Sequence, residues 1–518
     1  MQCIATITAM VREVSYPQYT PTRTAWARLP SFGSIILVAA YLAFILILEF
    51  IDNDITGAQH YQALSVQAAW LAVAQIPLIV LLVGKNSLVG ILSGTSYQRL
   101  NILHRWVARG LLLLSTFHFG FESYGWNQYG LMQMEWNTDS CPPTGIAAYA
   151  ILLWMNLTTF VPIRFHAYNL FVVQHILTYF GLIIAIMMHL PSTALYSRVY
   201  VYIAIAFYLI ERLVRTARYA YTNISPGQAT LESLGNRATK IHLTNSRLRN
   251  WTPGSHVLIA IPRFGIAQSH PATIISTPKS HGGELVLILK TCRGFTRRLA
   301  KAATVSDPSS KSDLENLPLR QSYLALIEGP YPPASQTDLA CYDTLFLVAG
   351  GTGITFTMSV LLDIAARATT RKLPPRNIHF IWIVKDRTSL PWIRQELLDV
   401  VSDLQHAGIN FQTQAFLTCD NEARNEKDAP IGCHSPETGS EESLAAPPWN
   451  EVWFQRPVID SLLWPGLCAA EGETAIAVSG PLRLCAELRT TVAKISDERA
   501  VHKGSGAQGI YLHVENCE

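Results

Sequence analysis

Several residue classes are scarce in this chain of 518 residues, and each shortage excludes a class of protein. Charged residues make up only 15% of the sequence and form no dense basic block, so nucleic acid is not expected as a partner. The nine cysteines are scattered and contain no CxxC pair, which excludes a disulfide framework and an iron–sulfur site. The N-terminus also lacks the pattern of a secretory signal. The first apolar run is therefore expected to direct membrane insertion itself.

Long apolar runs are abundant in the first half of the chain, whereas the second half alternates between short apolar and polar segments. A membrane domain followed by a soluble region fits this division. Six runs are predicted to cross a membrane: Gly33 to Ile51, Leu64 to Gly84, Leu103 to Phe119, Ile146 to Pro162, Leu170 to Leu190 and Val199 to Ile210.

The third and fifth of these runs each carry two histidines that are fourteen residues apart, His104 with His118 and His175 with His189. In an α-helix, fourteen residues advance roughly 21 Å and return to within about 40° of the starting face. Each pair therefore lines one side of its helix at two depths. Ionisable groups are costly inside a membrane, and imidazoles on both sides of a haem iron suit one-electron transfer. The four histidines are predicted to be haem ligands.

Basic residues near the ends of the runs predict the orientation of the chain. A single arginine, Arg198, lies on one side. The other side, predicted to be cytosolic, holds Arg12, Arg23, Arg28, Lys85, Arg99, Arg105, Arg109, Arg164, Arg212, Arg215 and Arg218. Both termini are then cytosolic, and the third and fifth runs point in the same direction. This pairs His104 with His175 near the inner leaflet and His118 with His189 near the outer one.

Two stretches resemble the ferric reductase transmembrane family, which includes fungal ferric and cupric reductases and the NADPH oxidases. They are the run from His104 to Arg109 with His118, and the run from Arg164 through Tyr168 and Phe171 to His175 and His189. The resemblance implies a multidomain membrane protein, with a cytosolic segment (residues 1–32) and a six-helix transmembrane haem core (33–212). An antiparallel β-barrel FAD domain (225–335) and an α/β doubly wound NAD(P)-binding domain of the ferredoxin reductase type (340–518) would follow.

Two short motifs resemble the flavin-binding sequences of the family. His270-Pro271-Ala272-Thr273 is similar to its HPFT-type motif, and Gly294-Phe295-Thr296 is similar to its downstream phosphate loop. A hydroxyl, a glycine that lets the backbone approach, and the adjacent Arg297 and Arg298 are suited to an FAD pyrophosphate.

The nicotinamide nucleotide is predicted to bind at a glycine-rich turn after an apolar strand, Leu345 to Val348. The turn and the start of the next helix are Gly350, Gly351, Thr352, Gly353, Ile354 and Thr355. Such a turn presents free backbone N–H groups and a positive helix end to a pyrophosphate. The strand Ile378 to Val384 ends in Lys385-Asp386-Arg387, where two cations against one acid favour the 2′-phosphate of NADPH over NADH.

Three positions depart from the family pattern where hydride passes to the flavin. Ala272 replaces an aromatic residue, and Ser479, before Gly480 and Pro481, stands where the family has the cysteine of its Cys-Gly-Pro motif; Ser479 is the predicted catalytic residue. The family's final aromatic residue is also missing. Slower transfer, altered selectivity and an incomplete terminus all stay open. Residues 420–448 are predicted to be a disordered insertion without a chemical role.

The resemblance implies an NADPH-dependent ferric-chelate reductase, an oxidoreductase with FAD and two b-type haems. It would pass electrons from cytosolic NADPH to ferric or cupric chelates on the other side of the membrane. The plasma membrane is the expected location, with an internal membrane and coupling to an iron or copper uptake system left open. Two alternatives remain: an NADPH oxidase that makes superoxide, and a redox-inactive transporter or sensor. Equal spacing of the two histidine pairs favours the metalloreductase, because oxidase relatives tend to have the second pair one residue closer.

Overall fold

A computed structural model gives the fold of this protein. It describes residues 2–20, 29–160, 167–265, 268–305, 321–419, 448–470, 472–498 and 509–516. The chain divides into two compact units. The first, the membrane unit, comprises Pro21–Thr216, and the second, the module, comprises Met1–Thr20 with Ala217–Glu518.

The membrane unit is helical. A first helix, α1 (Gln2–Ser15), precedes it in the chain and belongs to the module. The helices that follow are α2 (Phe32–Phe50), α3 (His60–Val83), α4 (Leu88–Ser93), α5 (Tyr97–Gln128), α6 (Met132–Thr138), α7 (Cys141–Leu157), α8 (Tyr168–His189) and α9 (Arg198–Asn223), of which α9 continues into the module.

Helices occur at all six predicted spans, and four apolar segments of the described chain are long and apolar enough to cross a membrane. They are Phe32–Phe50, His60–Val83, Tyr168–His189 and Ser192–Asn223. This confirms a transmembrane N-terminal region. Helix α7 has only 17 residues, and α5 carries arginines and histidines that lower its hydropathy. The prediction of six spans is therefore met by helix positions but not by composition.

Helix α5 differs most from its predicted bounds. The sequence predicts a span from Leu103 to Phe119 and an external loop after Gly120, whereas the helix runs for 32 residues and ends at Gln128. Gly130, with φ of +66°, follows its end. The short α6 and the start of α7 then occupy most of the remaining predicted loop, which ends at Gly145. Polar residues such as Glu122 and Asn127 predict a loop after Gly120, although these residue types are also compatible with a helix.

Close helix packing holds the membrane unit together. A Cβ atom on Gly110 of α5 would lie 2.6 Å from the Tyr41 hydroxyl of α2, so this glycine permits the contact. The same hydroxyl donates to Gln75 Oε1 of α3 at 2.9 Å. Ile45, Leu114 and Leu152 belong to a hydrophobic core to which α2, α3, α5, α7 and α8 contribute. Three helices thus meet around one polar pair.

The first sheet of the module is antiparallel and nearly closed. Its strand order is β4-β3-β6-β1-β2-β5. An isolated β-bridge between Ile274 and Leu287 joins the two ends of the sheet. This confirms the barrel prediction. The strands are β1 (Gly227–Ser233), β2 (Ala238–Thr244), β3 (His256–Ala260), β4 (His270–Thr273), β5 (Leu285–Lys290) and β6 (Ser322–Tyr331), with helix α10 (Phe295–Val305) after β5.

The second sheet is parallel, in the order β10-β9-β8-β7-β11-β12. Its strands are β7 (Thr344–Gly350), β8 (Asn377–Val384), β9 (Asn410–Leu417), β10 (Glu451–Trp453), β11 (Thr474–Gly480) and β12 (Ile510–Asn516). Its helices are α11 (Ile354–Ala368), α12 (Arg394–His406), α13 (Ile459–Cys468) and α14 (Leu482–Glu498).

Helices cover both faces of this sheet, as expected for a doubly wound domain. Alternate residues of β7 serve the two faces: Leu345 and Leu347 pack in one core with α11 and α12, and Phe346 and Val348 pack in the other with α13 and α14. Most of the predicted insertion, residues 420–447, lies outside the described residues.

Candidate redox sites

The four predicted haem ligands lie on two helices of the membrane unit, His104 and His118 on α5 and His175 and His189 on α8. The rings of His118 and His189 face each other, with centroids 5.9 Å apart and an angle of 64° between their planes. The structure therefore brings one predicted pair, His118 with His189, face to face.

Backbone carbonyls fix the orientation of three of these imidazoles. The Nδ1–H group of His104 donates to Ile79 O at 2.9 Å. That of His118 donates to Ser65 O at 3.0 Å, and that of His189 donates to Cys141 O at 2.9 Å. A carbonyl only accepts, so Nδ1 carries the proton in each ring. The lone pair is then on Nε2, the arrangement of a histidine prepared to bind a metal.

The surroundings of His189 are shaped to its ring. Cys141, whose carbonyl accepts the hydrogen bond, and Gly145 lie one turn apart on α7. A Cβ atom on Gly145 would lie 2.6 Å from His189 Cε1, so only glycine leaves the ring this position. In the other pair, the buried His175 Nδ1 has no hydrogen-bond partner in the described chain, and the Phe171 ring lies 5.4 Å from the imidazole.

The separation of His118 and His189 fits one haem iron held between two imidazoles. A metal ion that binds two imidazole nitrogens at about 2 Å each needs ring centres about 6 Å apart, which the separation of His118 and His189 satisfies. His104 and His175 would supply the ligands of a second haem, and both haems would carry single electrons.

The two flavin motifs meet in the barrel. The rings of His270, on β4, and Phe295, at the start of α10, stack with centroids 4.2 Å apart and planes inclined by 16°. Ala272 is buried opposite Val257 of β3. Burial, with the nearby Arg298 charge, lowers the pKa of His270, so the ring is neutral at physiological pH. Pro271 and Thr273 complete the same strand.

The start of α10 has the character of a phosphate site. Gly294 adopts a φ of +72° that lets the chain turn into the helix, whose first N–H groups are free to bind an anion. The Thr296 hydroxyl accepts a hydrogen bond from Cys292 N at 2.9 Å and so closes the loop. Arg297 and Arg298 are exposed beside it, and Arg298 donates to Phe264 O and Gln268 Oε1.

The glycine turn of the nucleotide domain lies at the carboxyl end of β7. Gly351 has a φ of +56°, and a Cβ atom on Gly353 would lie 2.0 Å from the carbonyl oxygen of Ser479. Gly350 and Gly480 approach closely, since a Cβ atom on Gly480 would lie 3.0 Å from Gly350 Cα. The turn continues through Thr352 into α11, where Ile354 and Thr355 are buried. The motif and the Ser479-Gly480-Pro481 segment thus share one edge of the sheet.

The three charged residues after β8 differ in their exposure to solvent. Lys385 is exposed, whereas the Asp386 carboxylate forms an ion pair with Arg237 of the barrel and caps the following turn by accepting from Thr388 N at 3.2 Å. Arg387 is partly buried. The one acid of the segment is therefore neutralised within the module.

Ser479, the penultimate residue of β11, lies next to Ala349 of β7 and Glu515 of β12. Its side chain is buried, and its carbonyl contacts the glycine turn. Its catalytic role stays a prediction.

Comparison with known proteins identifies the three regions. The ferric reductase like transmembrane component matches residues 68–186, the FAD-binding domain matches 226–335, and the ferric reductase NAD binding domain matches 342–497. Together the three models match most of the chain, in the order of a ferric reductase. The FAD and NAD binding domains occur in the order that the sequence predicts.

Two fungal proteins are among those that the chain resembles. It is 26% identical over 417 residues to the Aspergillus oryzae protein named "Probable cell surface ferric reductase kap2", covering 75% of this chain and 53% of the relative. It is 23% identical over 413 residues to ferric/cupric reductase transmembrane component 7 of Saccharomyces cerevisiae, covering 77% and 63%. The chain thus spans between half and two thirds of the length of these relatives.

Among solved structures, ferredoxin-NADP+ reductase from Plasmodium falciparum matches 57% of this chain and 98% of its own, with 13% identity and a TM-score of 0.34.

The structure adds two residues near this site that the sequence motifs miss, His513 and Glu515 on β12. His513 is buried, stacks on Phe356 of α11 with centroids 5.0 Å apart, and contacts Glu515 Oε1 through Nε2 at 3.0 Å. Glu515 is the register partner of Ser479. Two polar residues in alternate positions of an apolar terminal strand were the available signal, but only the pairing of β11 with β12 links them to the site.

Proposed function

We propose that this chain is a transmembrane NADPH-dependent reductase of ferric or cupric chelates, with FAD and two b-type haems as cofactors. The observation that carries the proposal is the facing pair His118 and His189, whose Nδ1 atoms donate to backbone carbonyls and whose rings stand 5.9 Å apart. Inside an apolar helical unit a leucine would pack better than an imidazole, so packing alone does not explain these histidines.

The membrane unit supplies ligands and direction. His104 with His175 would hold the inner haem, and His118 with His189 the outer one. Helices α5 and α7 would cross the membrane together with the four apolar segments, which gives six spans. The excess of arginine on one side would then place both termini and the module in the cytosol. The plasma membrane is the proposed location.

The module supplies the electrons. When bound, FAD accepts a hydride from the nicotinamide, and the haems carry single electrons. His270, which stacks on the buried Phe295, would lie beside the flavin, and the N-terminus of α10 with Arg297 would hold its pyrophosphate. The backbone of Gly350 to Gly353 would hold the nucleotide pyrophosphate. Ser479 would position the nicotinamide through the turn that its carbonyl contacts.

The charge at the end of β8 supports NADPH over NADH. An acid there would bind the ribose hydroxyl of NADH, but Asp386 is neutralised by Arg237. The exposed Lys385 then remains for the 2′-phosphate. We expect Lys385→Ala to raise the KM for NADPH about tenfold with little change for NADH, measured by steady-state kinetics with both nucleotides. An equal loss for both nucleotides would contradict this role.

The acceptor is inferred from two features. The fungal relatives are named ferric or cupric reductases. The segment from Gly120 to Gly145 holds Glu122, Glu135 and Asp139 but no lysine or arginine, and Asp139 is exposed. An acidic surface attracts cationic or metal-bearing acceptors.

Isolated membranes test the proposal. A reduced-minus-oxidised spectrum should show b-type haem bands, and NADPH should drive ferric-chelate reduction that superoxide dismutase does not inhibit. His118→Ala and His189→Ala should each remove the outer haem's share of the bands and abolish chelate reduction, while the protein still inserts. His60→Ala is the matched control, because His60 lies in the same unit outside both pairs and contacts Ile55 O.

The alternatives give different results in the same assay. Acceptor reduction that is sensitive to superoxide dismutase would identify an NADPH oxidase. Membranes that contain the inserted protein but no haem bands would identify a redox-inactive transporter or sensor.

A further inference from the structure

Helix α1 has no part in the redox sites, yet it is firmly attached to the module. The Leu512 amide of β12 donates to the Tyr16 hydroxyl at 3.2 Å, which caps the outermost strand of the parallel sheet. The Arg12 guanidinium lies 5.6 Å from the centre of the Tyr511 ring. Thr490 of α14 donates to Gln18 O at 3.3 Å. The orientation of α1 on the nucleotide domain is therefore fixed.

The opposite face of α1 is apolar and exposed to solvent. Ile7, Met10, Val11 and Val14 are 60%, 43%, 61% and 54% exposed. Their spacing of three, four and seven residues places them in one stripe along the helix. The inward face, by contrast, uses the small Ala9, which is buried. A helix that only packed on a soluble domain would place its larger apolar residues inward. The exposed stripe therefore marks a binding surface.

The charge and the position of α1 in the chain identify what the stripe binds. Residues 1–48 contain three arginines, Arg12, Arg23 and Arg28, and one acid, Glu13. The membrane-spanning segment begins at Phe32, seventeen residues after Ser15. Seventeen residues span at most about 60 Å, so α1 is tethered within reach of a bilayer. An amphipathic helix in a positively charged segment is the arrangement that binds an anionic lipid surface.

We propose that α1 is a lipid-binding helix: its apolar stripe inserts into the headgroup region of the bilayer, while its other face holds β12 and α14 of the nucleotide domain. The helix thereby anchors the nucleotide domain to the lipid surface through contacts additional to the covalent connection.

Photolabelling of the full-length protein tests this directly. One copy per nanodisc, in phosphatidylcholine with and without phosphatidylserine, is irradiated with a phospholipid that carries a shallow diazirine, and tryptic peptides are analysed by mass spectrometry. The peptide from Met1 to Arg12 contains three of the four stripe residues. We expect it to be labelled, and more strongly with phosphatidylserine.

Two variants give matched arms. Val11→Glu should lower the labelling of α1 about threefold or more, and Val11→Ser should lower it without adding charge. Val458→Glu alters a residue of the nucleotide domain with similar exposure, 66%, and should leave the labelling unchanged. Hydrogen exchange of the peptide that contains Leu512 shows whether α1 still packs on β12 in each variant.

Absence of label on α1 in the native protein would overturn the proposal. So would label that appears only with two copies per disc, because the stripe would then bind a second chain. Neither readout depends on electron transfer, so the result is separate from that of the proposed function.

Discussion

The membrane unit and the module place their apolar residues in opposite directions. Val173, Leu177 and Ile184 of α8 are 56%, 66% and 61% exposed, whereas every residue of β7 is buried. The membrane unit in turn buries polar groups such as Ser65, which is fully buried and binds His118. In lipid the apolar surface needs no cover, so the interior is available for ligands. In water the interior must be apolar, and binding groups gather at strand ends.

The contrast predicts that added atoms are least tolerated where rigid backbone meets backbone. Gly353→Ala would place Cβ 2.0 Å from the Ser479 carbonyl oxygen of a fully buried strand, which has no room to move. We expect NADPH-driven reduction of a soluble acceptor to fall on the order of 100-fold, because the turn would be displaced by about 1 Å. Gly120→Ala, at a helix position with open space around it, is the control. Near-native activity of Gly353→Ala would show that the turn is adaptable.

The module also contains a buried charge pair that distinguishes it from the membrane unit. The Lys240 ammonium of the barrel and the Glu396 carboxylate of α12 form an ion pair, and their side chains are 10% and 5% exposed. Glu396→Ala should cost about 3–5 kcal/mol in the free energy of unfolding, because an unpaired buried ammonium remains. The double variant Lys240→Met/Glu396→Leu should cost less than either single change. Thermal unfolding followed by fluorescence measures both, and additive losses would contradict the pairing.

Acid should weaken the module through the same carboxylate. Burial alone would raise the pKa of Glu396, but the hydrogen bond from His281 and the Lys240 charge outweigh it and lower the pKa from 4.5 to about 2. Since the folded pKa lies below the unfolded one, the stabilisation is complete above pH 4.5 and is lost as the pH falls towards 2. The loss is on the order of 3 kcal/mol. Glu396→Gln should flatten this part of the stability profile, and an unchanged profile would assign it to other groups.

The smallest effect is expected where an added atom meets a side chain rather than backbone. Gly145→Ala would place Cβ 2.6 Å from the His189 ring, which has some freedom to tilt. We expect the outer haem bands to shift and chelate reduction to fall about tenfold, as for changes to residues that support a metal ligand. Spectra of membranes from Gly145→Ala and Gly120→Ala would test this. A loss as large as that of His189→Ala would show that the ring cannot move.

Local sequence predicts both kinds of site where one element carries the whole signal. Equal spacing of the histidines places the two of each helix on one side at two depths, and the basic residues at the helix ends supply the direction that predicts the pairing. The order of strand, glycine turn and helix at Gly350 is similarly local. The features that the sequence does not predict are contacts between residues that lie far apart in the chain. Asp386 reads as an open acid until Arg237, 149 residues away, is placed beside it, and Glu515 gains meaning only from its register with Ser479.

Helix ends were predicted less well than helix positions. Helix α5 continues nine residues beyond Phe119, because polar residues are compatible with a helix that leaves the bilayer. Likewise the attachment of α1 to β12 depends on Tyr16 and Leu512, which are 496 residues apart. No periodicity in the sequence reports such a contact.

The ion pair between Arg237 and Asp386 has a practical consequence for altering the nucleotide preference. Its two partners belong to different domains, so under the proposed preference for NADPH one determinant of that preference would lie in the barrel, outside the nucleotide domain. Mutagenesis confined to the end of β8 would leave this determinant untouched. A single exchange, Arg237→Ala, would release the carboxylate and turn the site towards NADH without changing any residue of the nucleotide domain.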